Sequence, residues 1–205
     1  MKKETESLLE KIKLDLKESL TEKRYNHSVS VMNKAVELAK VYGEDEDDAA
    51  IAGILHDIAK EKSFDESMEI AEKNGVIIDD IEKINKKLIH GKIGAALAKE
   101  KYNVSTRIQR AIEYHTETNC NMDLLAKIVF VADKIEDTRK ADENGIQEER
   151  EMSKIDIDKT IILIIDGTIR KLLDKGKLIH PEELVTRNKL IMDIMKKEEL
   201  DNKKE

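Results

Sequence analysis

Four of the five histidines in the chain lie in similar surroundings, on or beside apolar helical segments. They occur in the stretches RYNHSVSVMNKA, GILHDIAK, KLIHGKIGAA and IEYHTE, as His27, His56, His90 and His115. A fifth apolar segment, KIVFVADKIE, carries Asp133, and Asp57 directly follows His56. Imidazole and carboxylate groups together are typical ligands of iron, manganese or zinc, and the lack of thiolates in these stretches argues against a structural zinc site. The pattern predicts a metal centre with nitrogen and oxygen ligands.

Asp57 is the most demanding of these residues. It stands near the end of AIAGILHDIAK, in which seven of the nine positions from Ala50 to Ile58 are small or apolar. A helix that is apolar nearly all round is a buried helix. A carboxylate buried in such a helix needs a compensating partner, because an unpaired charge in a dry interior is prohibitively costly. A bound cation would supply that partner.

Each residue also has a simpler structural explanation when it is considered alone. A single histidine such as His27 on an apolar face is more often a hydrogen-bonded core residue than a ligand. His90, followed by a glycine, could mark the start of a helix, and Asp133 could pair with Lys134 or Lys127. His56 and Asp57 are harder to explain in this way, and five such segments in order favour the metal centre.

Helical periodicity dominates the rest of the chain and supplies the elements that must position these groups. Residues 8 to 20 carry an apolar stripe at helical spacing, and a second helix is predicted from Thr21 to Tyr42, ending at Gly43. Acidic residues at 44 to 48 then cap the helix that holds the HD pair. We expect breaks near 74–75, 79–80, 103–105 and 119–121, and in the polar run 141–152. The Ile-rich stretch from 155 to 176 is predicted to be helical, and a charged final helix follows Pro181.

These elements predict an all-α protein, a single compact helical bundle. We expect residues 1–20 to form an N-terminal helix packed on the core and residues 21–190 to form the main domain. Residues 191–205 should be a charged helix end, partly frayed.

Composition limits the classes of partner and the compartment. The 205 residues carry a formal net charge of −7, which argues against nucleic acid as partner, since phosphate binding requires a basic surface. The single cysteine, Cys120, excludes an intramolecular disulfide. The sequence shows neither an apolar run of membrane-spanning length nor a secretory signal. We expect a cytoplasmic protein that binds no membrane, and a homodimer is compatible with the sequence.

The order of His, His-Asp, two further histidines and Asp resembles the HD-domain superfamily of metal-dependent phosphohydrolases. The blocks RYNHSVSV, AGILHDIAK, LIHGKIGA, EYHT, VADKIEDTR and LIHPEELVTRN are similar to the YqeK group of symmetrical dinucleoside tetraphosphate hydrolases. They extend from about residue 24 to residue 188. The chain departs from the group in two places: no glycine follows soon after Thr116, and Asp137 stands where a proline is expected.

This resemblance implies an all-helical fold and the hydrolysis of diadenosine tetraphosphate to two ADP. It implies metal ligation by His27, His56, Asp57 and Asp133. His90 and His115 would hold a second metal ion or contact the scissile phosphate. The implied cofactor is iron, as one or two ions, for which manganese or cobalt could substitute.

Several of these residues would then take part in the reaction or bind substrate. With two ions, Asp57 is the natural bridge, and Asp133 would complete the shell of the first ion and could orient the attacking water. The predicted catalytic residues are Asp57, Lys60, His90, His115 and Asp133. Lys60 lies one helical turn after the HD pair, and Arg24 lies one turn before His27. The predicted substrate-binding residues are Arg24, His27, Lys60, His90, His115, Thr116, Arg139, Lys177, His180 and Arg187, the last three closing over the nucleotide.

Other functions use the same residues. A nucleoside monophosphatase or an alarmone hydrolase of the HD type would keep the metal ligands and change the pocket. A non-catalytic nucleotide sensor would keep the metal as a structural element. An RNA-binding accessory protein fits the acidic charge poorly. Since aromatic residues make up only 3% of the chain, we expect a base to be recognised by aliphatic packing and backbone groups.

Overall fold

The computed structural model describes residues 2–140 and 145–202, and in these ranges the regular secondary structure is α-helical. The helices are α1 (Lys3–Ser19), α2 (Glu22–Tyr42), α3 (Glu46–Leu55), α4 (Phe64–Asn74), α5 (Asp80–Ile84), α6 (His90–Tyr102), α7 (Thr106–Glu113), α8 (Leu124–Ile135), α9 (Ile146–Met152), α10 (Ile157–Asp174) and α11 (Pro181–Asp201). The predicted all-α class is confirmed.

The centre of the bundle is formed by α3 and α8, the two most apolar helices. In α3 every residue from Ala49 to Leu55 is buried, and in α8 most side chains from Leu125 to Ile135 are buried. Helix α2 packs against both, while α7 and α10 also pack on α8. Helices with apolar residues on all sides must be enclosed by others, and this accounts for their central position.

The remaining helices cover this centre. Helix α1 packs on α3 through Leu9, Ile12 and Leu16, and α4 packs on α6, which in turn packs on α7. Helix α11 lies against α10. The predicted division into residues 1–20, 21–190 and 191–205 stays a prediction, and residues 203–205 lie outside the described part.

Local sequence signals set several helix ends where they were predicted. Helix α2 ends at Gly43, which has a left-handed φ of 70°, and Asp45 caps α3 by accepting hydrogen bonds from the amides of Asp47 and Asp48. The break at 79–80 is the start of a short helix, since Asp79 caps α5 in a reciprocal arrangement with Glu82. The Ile-rich stretch is the helix α10, as predicted.

Two expectations about secondary structure were wrong. The polar run 141–152 contains the helix α9, which starts after Gly145 and buries Ile146, while residues 141–144 lie outside the described ranges. The helix carrying the HD pair ends at Leu55, and the chain then turns more tightly, with hydrogen bonds from the amide of Ile58 to the carbonyl of Leu55 and from that of Lys60 to that of Asp57. Such three-residue turns bring side chains at i and i+3 into line.

The length and composition of the helices determine whether any of them could cross a membrane. Among the residues that the structure describes, no helix combines the length and apolar content that a bilayer span requires.

Gly53 permits the close approach of α3 to α2. A Cβ atom at this position would lie 2.9 Å from the Cα of Met32 and 3.3 Å from the Cβ of Ala35. Because one of these neighbours is backbone, an added methyl group must push the two helices apart.

We predict that Gly53→Ala lowers the free energy of unfolding by about 1–3 kcal/mol, measured by chemical denaturation. Gly167→Ala is the matched control, because Gly167 lies within α10 and its Cβ would meet no atom within 4 Å. That change should raise stability by about 0.5–1 kcal/mol, since alanine favours the helix. Equal effects of the two substitutions would contradict the proposed steric role of Gly53.

Candidate metal centre

The six predicted ligands come together in the interior of the bundle from five separate parts of the chain. His27 belongs to α2, His56 and Asp57 to the turn that follows α3, His90 to the start of α6, His115 to the segment after α7, and Asp133 to the last turn of α8. Apart from His27, which is slightly exposed, all are buried. The six residues predicted from the sequence therefore lie together in the folded chain.

Asp57 lies between two pairs of histidines and turns one oxygen toward each. Its Oδ2 is 3.6 Å from Nε2 of His27 and 3.4 Å from Nε2 of His56. Its Oδ1 is 3.0 Å from Nε2 of His90 and 3.5 Å from Nε2 of His115. Within each pair the two Nε2 atoms are 3.2 Å and 3.0 Å apart, respectively. Asp57 is thus common to two groups of possible metal ligands.

Asp133 belongs to the first of these groups. Its Oδ1 lies 3.1 Å from Nε2 of His27 and 3.7 Å from Nε2 of His56. Its Oδ2 accepts a hydrogen bond of 2.7 Å from the ammonium group of the neighbouring Lys134. Oδ2 of Asp133 is therefore held by Lys134, while Oδ1 faces the two histidines and also accepts a hydrogen bond from Arg139 at 3.2 Å.

Three of the histidines are oriented in the same way by the backbone. Nδ1 of His56, His90 and His115 lies 2.6–2.7 Å from the carbonyl oxygen of the residue three positions earlier. A carbonyl oxygen only accepts, so Nδ1 carries the proton and donates it. In the neutral ring this leaves the lone pair on Nε2, and all three Nε2 atoms face Asp57.

The fourth histidine is oriented by a carboxylate that sequence reasoning did not identify. Nδ1 of His27 lies 3.1 Å from Oε1 of Glu136, which is 1% exposed. Glu136 itself accepts hydrogen bonds from the amide and the hydroxyl group of Thr138, at 2.6 Å and 2.7 Å. A carboxylate behind a ligating histidine is a recurrent feature of metal sites. The signal was available, since Glu136 follows Asp133 by one helical turn within VADKIEDTR.

The pKa directions agree with neutral imidazoles at His90 and His115 and with ionised carboxylates, whereas the hydrogen bonds to Asp133 and Glu136 outweigh burial and raise the pKa of His27. Burial lowers the pKa of His115 to about 3 and also lowers that of His90. Burial alone would raise the pKa of Asp57, but the surrounding histidines outweigh it and hold the pKa below its ordinary value. For Asp133 burial also opposes ionisation, and the Lys134 charge with the hydrogen bond to His27 holds its pKa well below the ordinary value.

The chemistry of this donor set fits a metal ion. Oδ1 of Asp57 is buried and accepts no hydrogen bond from any described residue. In the second pair, two Nε2 lone pairs 3.0 Å apart cannot donate to each other, and the ammonium group of Lys60 reaches Nε2 of His90 alone, at 2.9 Å. A cation would satisfy the nitrogens and the orphaned oxygen together, and nitrogen with carboxylate oxygen suits iron, manganese or zinc.

Three of the predicted basic residues border this centre. Nη1 of Arg24 lies 2.6 Å from Oδ2 of Asp57, and Nζ of Lys60 lies 2.9 Å from Nε2 of His90. Arg139 donates from Nε to the backbone oxygen of Asp133 at 2.8 Å and from Nη2 to its Oδ1 at 3.2 Å. Positive charge is thus concentrated at the outer edge of the cluster.

The other predicted substrate contacts lie elsewhere or are less direct. Thr116 is half-buried, and its hydroxyl group is 3.5 Å from the backbone oxygen of Glu113. Nε2 of His180 lies 2.8 Å from Oδ2 of Asp79, Arg187 forms an ion pair with Asp166, and Lys177 is exposed. The structure does not bring Lys177, His180 or Arg187 into contact with the six ligands, and their roles at a nucleotide stay predictions.

A glycine allows the second pair of histidines to meet. A Cβ atom on Gly91 would lie 2.5 Å from the backbone oxygen of Glu113 and 2.6 Å from Oγ1 of Thr116. Only a residue without a side chain lets the start of α6 reach the end of α7 so closely. This contact lies next to both His90 and His115.

The comparisons define the class. The HD domain family matches residues 24–138, which span α2 to the segment after α8 and contain all six ligands as well as Glu136. The chain belongs to the HD-domain family, as the order of its histidines and aspartates indicated.

Within the HD-domain family, two relatives with a named activity match this chain over most of its length. The chain is 36% identical over 179 residues to a symmetrical bis(5'-nucleosyl)-tetraphosphatase of Halalkalibacterium halodurans, covering 87% of this chain and 94% of the relative. It is 36% identical over 177 residues to the symmetrical bis(5'-nucleosyl)-tetraphosphatase of Bacillus subtilis, covering 86% and 94%. The predicted resemblance to this group is confirmed.

A solved structure supports the fold. A predicted HD superfamily hydrolase involved in NAD metabolism, from Clostridium acetobutylicum, superimposes with a TM-score of 0.86 at 38% identity. The match covers 90% of this chain and 97% of that protein.

We predict that Glu136→Gln weakens metal binding about 10- to 100-fold, because the His27 ring loses the negative charge that orients and polarises it. Asp137→Asn is the control, since the neighbouring Asp137 side chain is 74% exposed and pairs with Lys34. Metal content and affinity, measured by elemental analysis and competition with a chelator, should stay normal in the control. Normal affinity in Glu136→Gln would show that the carboxylate has no role in metal binding.

Proposed function

We propose that this chain hydrolyses diadenosine tetraphosphate symmetrically to two ADP at an iron-containing centre. The observation that carries the proposal is the single carboxylate of Asp57 facing two pairs of imidazole nitrogens in the interior. The extended identity to two symmetrical bis(5'-nucleosyl)-tetraphosphatases supports the choice of substrate.

In this reaction water adds to one of the two central phosphorus atoms, and the bond from that atom to the oxygen bridging the two central phosphates breaks. The bridging oxygen leaves with the other ADP. When bound, a metal ion lowers the pKa of a coordinated water to about 7 in favourable sites and polarises a phosphoryl oxygen.

We propose that His27, His56, Asp57 and Asp133 hold the first ion. His90 and His115, with the shared Asp57, hold a second ion or contact the scissile phosphate. The fixed Nδ1 hydrogen bonds support these roles, since they keep the Nε2 lone pairs directed inward without help from the ligand. Asp133 would complete the shell of the first ion and orient the attacking water, a role supported by the position of its Oδ1 3.1 Å from Nε2 of His27.

The basic side chains at the edge would balance the charge of the polyphosphate. Arg24 and Lys60 flank Asp57, and Arg139 offers a planar fork beside Asp133. Burial lowers the pKa of Lys60, although the nearby Asp57 and Asp133 oppose that effect. Thr116, next to His115, can donate its hydroxyl group to a phosphate oxygen.

Iron is the proposed ion, with manganese or cobalt able to substitute. All six candidate ligands are nitrogen or carboxylate oxygen, a set that suits these metals and offers no thiolate to favour zinc or copper(I). We further propose that the protein acts in the cytoplasm as a homodimer. Exposed apolar side chains along α11, among them Leu184, Met192 and Met195, support self-association.

The products of the reaction test the proposal. Incubated with diadenosine tetraphosphate, the holoprotein should yield ADP as the sole nucleotide product, resolved by ion-exchange chromatography. Equal amounts of ATP and AMP would instead identify asymmetric cleavage. Asp57→Ala is the inactive control and should lose metal and turnover together, because the histidines then lack their anionic counterpart. Full turnover by Asp57→Ala would rule out its bridging role.

Lys60→Ala should keep its metal and lose about 10- to 100-fold in kcat/KM, the value expected for one hydrogen bond to a charged group. The reason is that its ammonium group points at the edge of the centre where phosphate must enter. Lys73→Ala is the control, since Lys73 is exposed and pairs with Glu100. Unchanged kinetics in Lys60→Ala would show that Lys60 is a surface charge without a role in the reaction.

A further inference from the structure

A cleft opens directly from the metal centre, and its outer walls are formed by parts of the chain that have no role in the proposed reaction. Its volume is about 620 Å³, within the range of small-molecule sites. Arg24, Lys60 and His90 line its inner end. Its outer walls come from the turn after α3, the start of α4, and the segment between α5 and α6, which contribute Ala59, Glu61, Lys62, Phe64, Ser67, Lys86, Lys87 and Ile89.

The charge of this cleft is opposite to that of the whole protein. Five of its lining side chains are Arg or Lys and one is acidic, in a chain whose formal net charge is −7. The acidic one, Glu61, is engaged elsewhere, since its two oxygens accept hydrogen bonds from the amide and the hydroxyl group of Thr21 at 2.8 Å and 2.6 Å. The cleft therefore favours an anion.

Two lysines of the cleft are free to bind an anion. Lys86 and Lys87 are exposed, and neither forms an ion pair with a residue in the described part of the chain. The ammonium group of Lys86 lies 4.1 Å from the centre of the Phe64 ring, a cation–π contact that holds it beside the cleft. By contrast Lys62, on the opposite wall, pairs with Glu66 at 3.0 Å.

The segment that carries Lys86 and Lys87 is hydrogen-bonded to one of the proposed metal ligands. The backbone oxygen of Lys87 accepts the hydrogen bond from Nδ1 of His90, at 2.6 Å. Lys86 and Lys87 thus have fixed backbone positions relative to a proposed ligand. Because this bond uses the backbone alone, the lysine side chains can be removed without disturbing His90.

A second cavity nearby has the wrong charge for a polyphosphate. It is about 280 Å³ in volume, and its lining includes the carboxylates of Asp79, Glu113, Glu117 and Glu182, with Lys92 and His180 as the basic residues. A chain of phosphates in that direction would meet four carboxyl groups and two basic side chains, although burial raises the pKa of Glu113 and raises that of Glu117 to about 7. The basic cleft is the favourable exit.

We propose that the basic cleft binds one nucleoside diphosphate half of the substrate, with Lys86 and Lys87 neutralising its phosphates. This inference rests on the proposed function, because symmetrical cleavage sets the central bond at the metal centre and leaves a nucleoside with two phosphates on each side. Ala59 and Ile89, together with the ring of Phe64, would supply an apolar wall for the base.

Binding of ADP to the holoprotein tests the cleft without requiring turnover. In Lys86→Ala/Lys87→Ala the Kd for ADP, from isothermal titration calorimetry, should rise about tenfold, as expected for the loss of two partly exposed charge contacts. The KM for diadenosine tetraphosphate should rise similarly while metal content stays constant. Lys86→Arg/Lys87→Arg should restore most of the affinity.

The control is Lys83→Ala/Lys99→Ala, which removes two exposed lysines from α5 and α6 outside the cleft. It changes the net charge equally and should leave the Kd for ADP within about twofold of the parent, because charges far from the ligand are screened by salt. An equal loss of ADP affinity in both double variants would show that the effect comes from overall charge, and this result would overturn the proposal.

The two hypotheses fail separately. If the unaltered protein forms ADP from diadenosine tetraphosphate but Lys86→Ala/Lys87→Ala binds ADP normally, the cleft is wrong and the activity stands. The opposite result is also possible: the unaltered protein binds ADP but forms none from diadenosine tetraphosphate, and of the two double variants Lys86→Ala/Lys87→Ala alone loses ADP affinity. In that case the cleft is a nucleoside diphosphate site and the proposed activity is wrong.

Discussion

The burial of one carboxylate governs this structure. Asp57 is 2% exposed and is surrounded by four imidazole rings rather than by backbone amides, so its charge must be balanced by cations. Arg24 balances it in part, through Oδ2, and a metal ion would balance the remainder. The surrounding groups agree with that requirement: four histidines whose Nε2 atoms face it, a second aspartate beside the first pair, and basic side chains at the outer edge.

The orientation of the rings shows how the protein prepares the site. His56 and His115 donate to carbonyl oxygens in the last turns of α3 and α7. His90 donates to the carbonyl oxygen of Lys87 in the segment before α6, and His27 donates to the buried Glu136. Helix ends are suited to this task, because their last carbonyls lack partners within the helix. His56 and His115 stand where α3 and α7 end, so the free carbonyl and the ligand occur in the same turn, whereas His90 uses a carbonyl of the segment before α6.

The sequence predicted the ligands better than their surroundings. His27, His56, Asp57, His90, His115 and Asp133 were visible because each lies on or beside an apolar helical segment, and α2, α3 and α10 were visible from caps and periodicity. Glu136 was missed because it lies in the polar stretch that follows α8, where its burial depends on packing against His27. The cleft could not be foreseen either, since Lys86 and Lys87 look like ordinary surface lysines until α4 supplies the facing wall. The helix α9 was hidden by its polar residues, with Ile146 as its single buried side chain.

The spread of the ligands along the chain has a consequence for folding. His27 and Asp133 lie on α2 and α8 and are separated by more than a hundred positions, with the other ligands between them. An ion held by such a set joins distant segments much as a covalent tie would, and its binding free energy adds to the stability of the native state alone. Occupancy of the centre is therefore a property of the whole bundle, and the cellular supply of the ion becomes one of the factors that determine how long the folded protein survives.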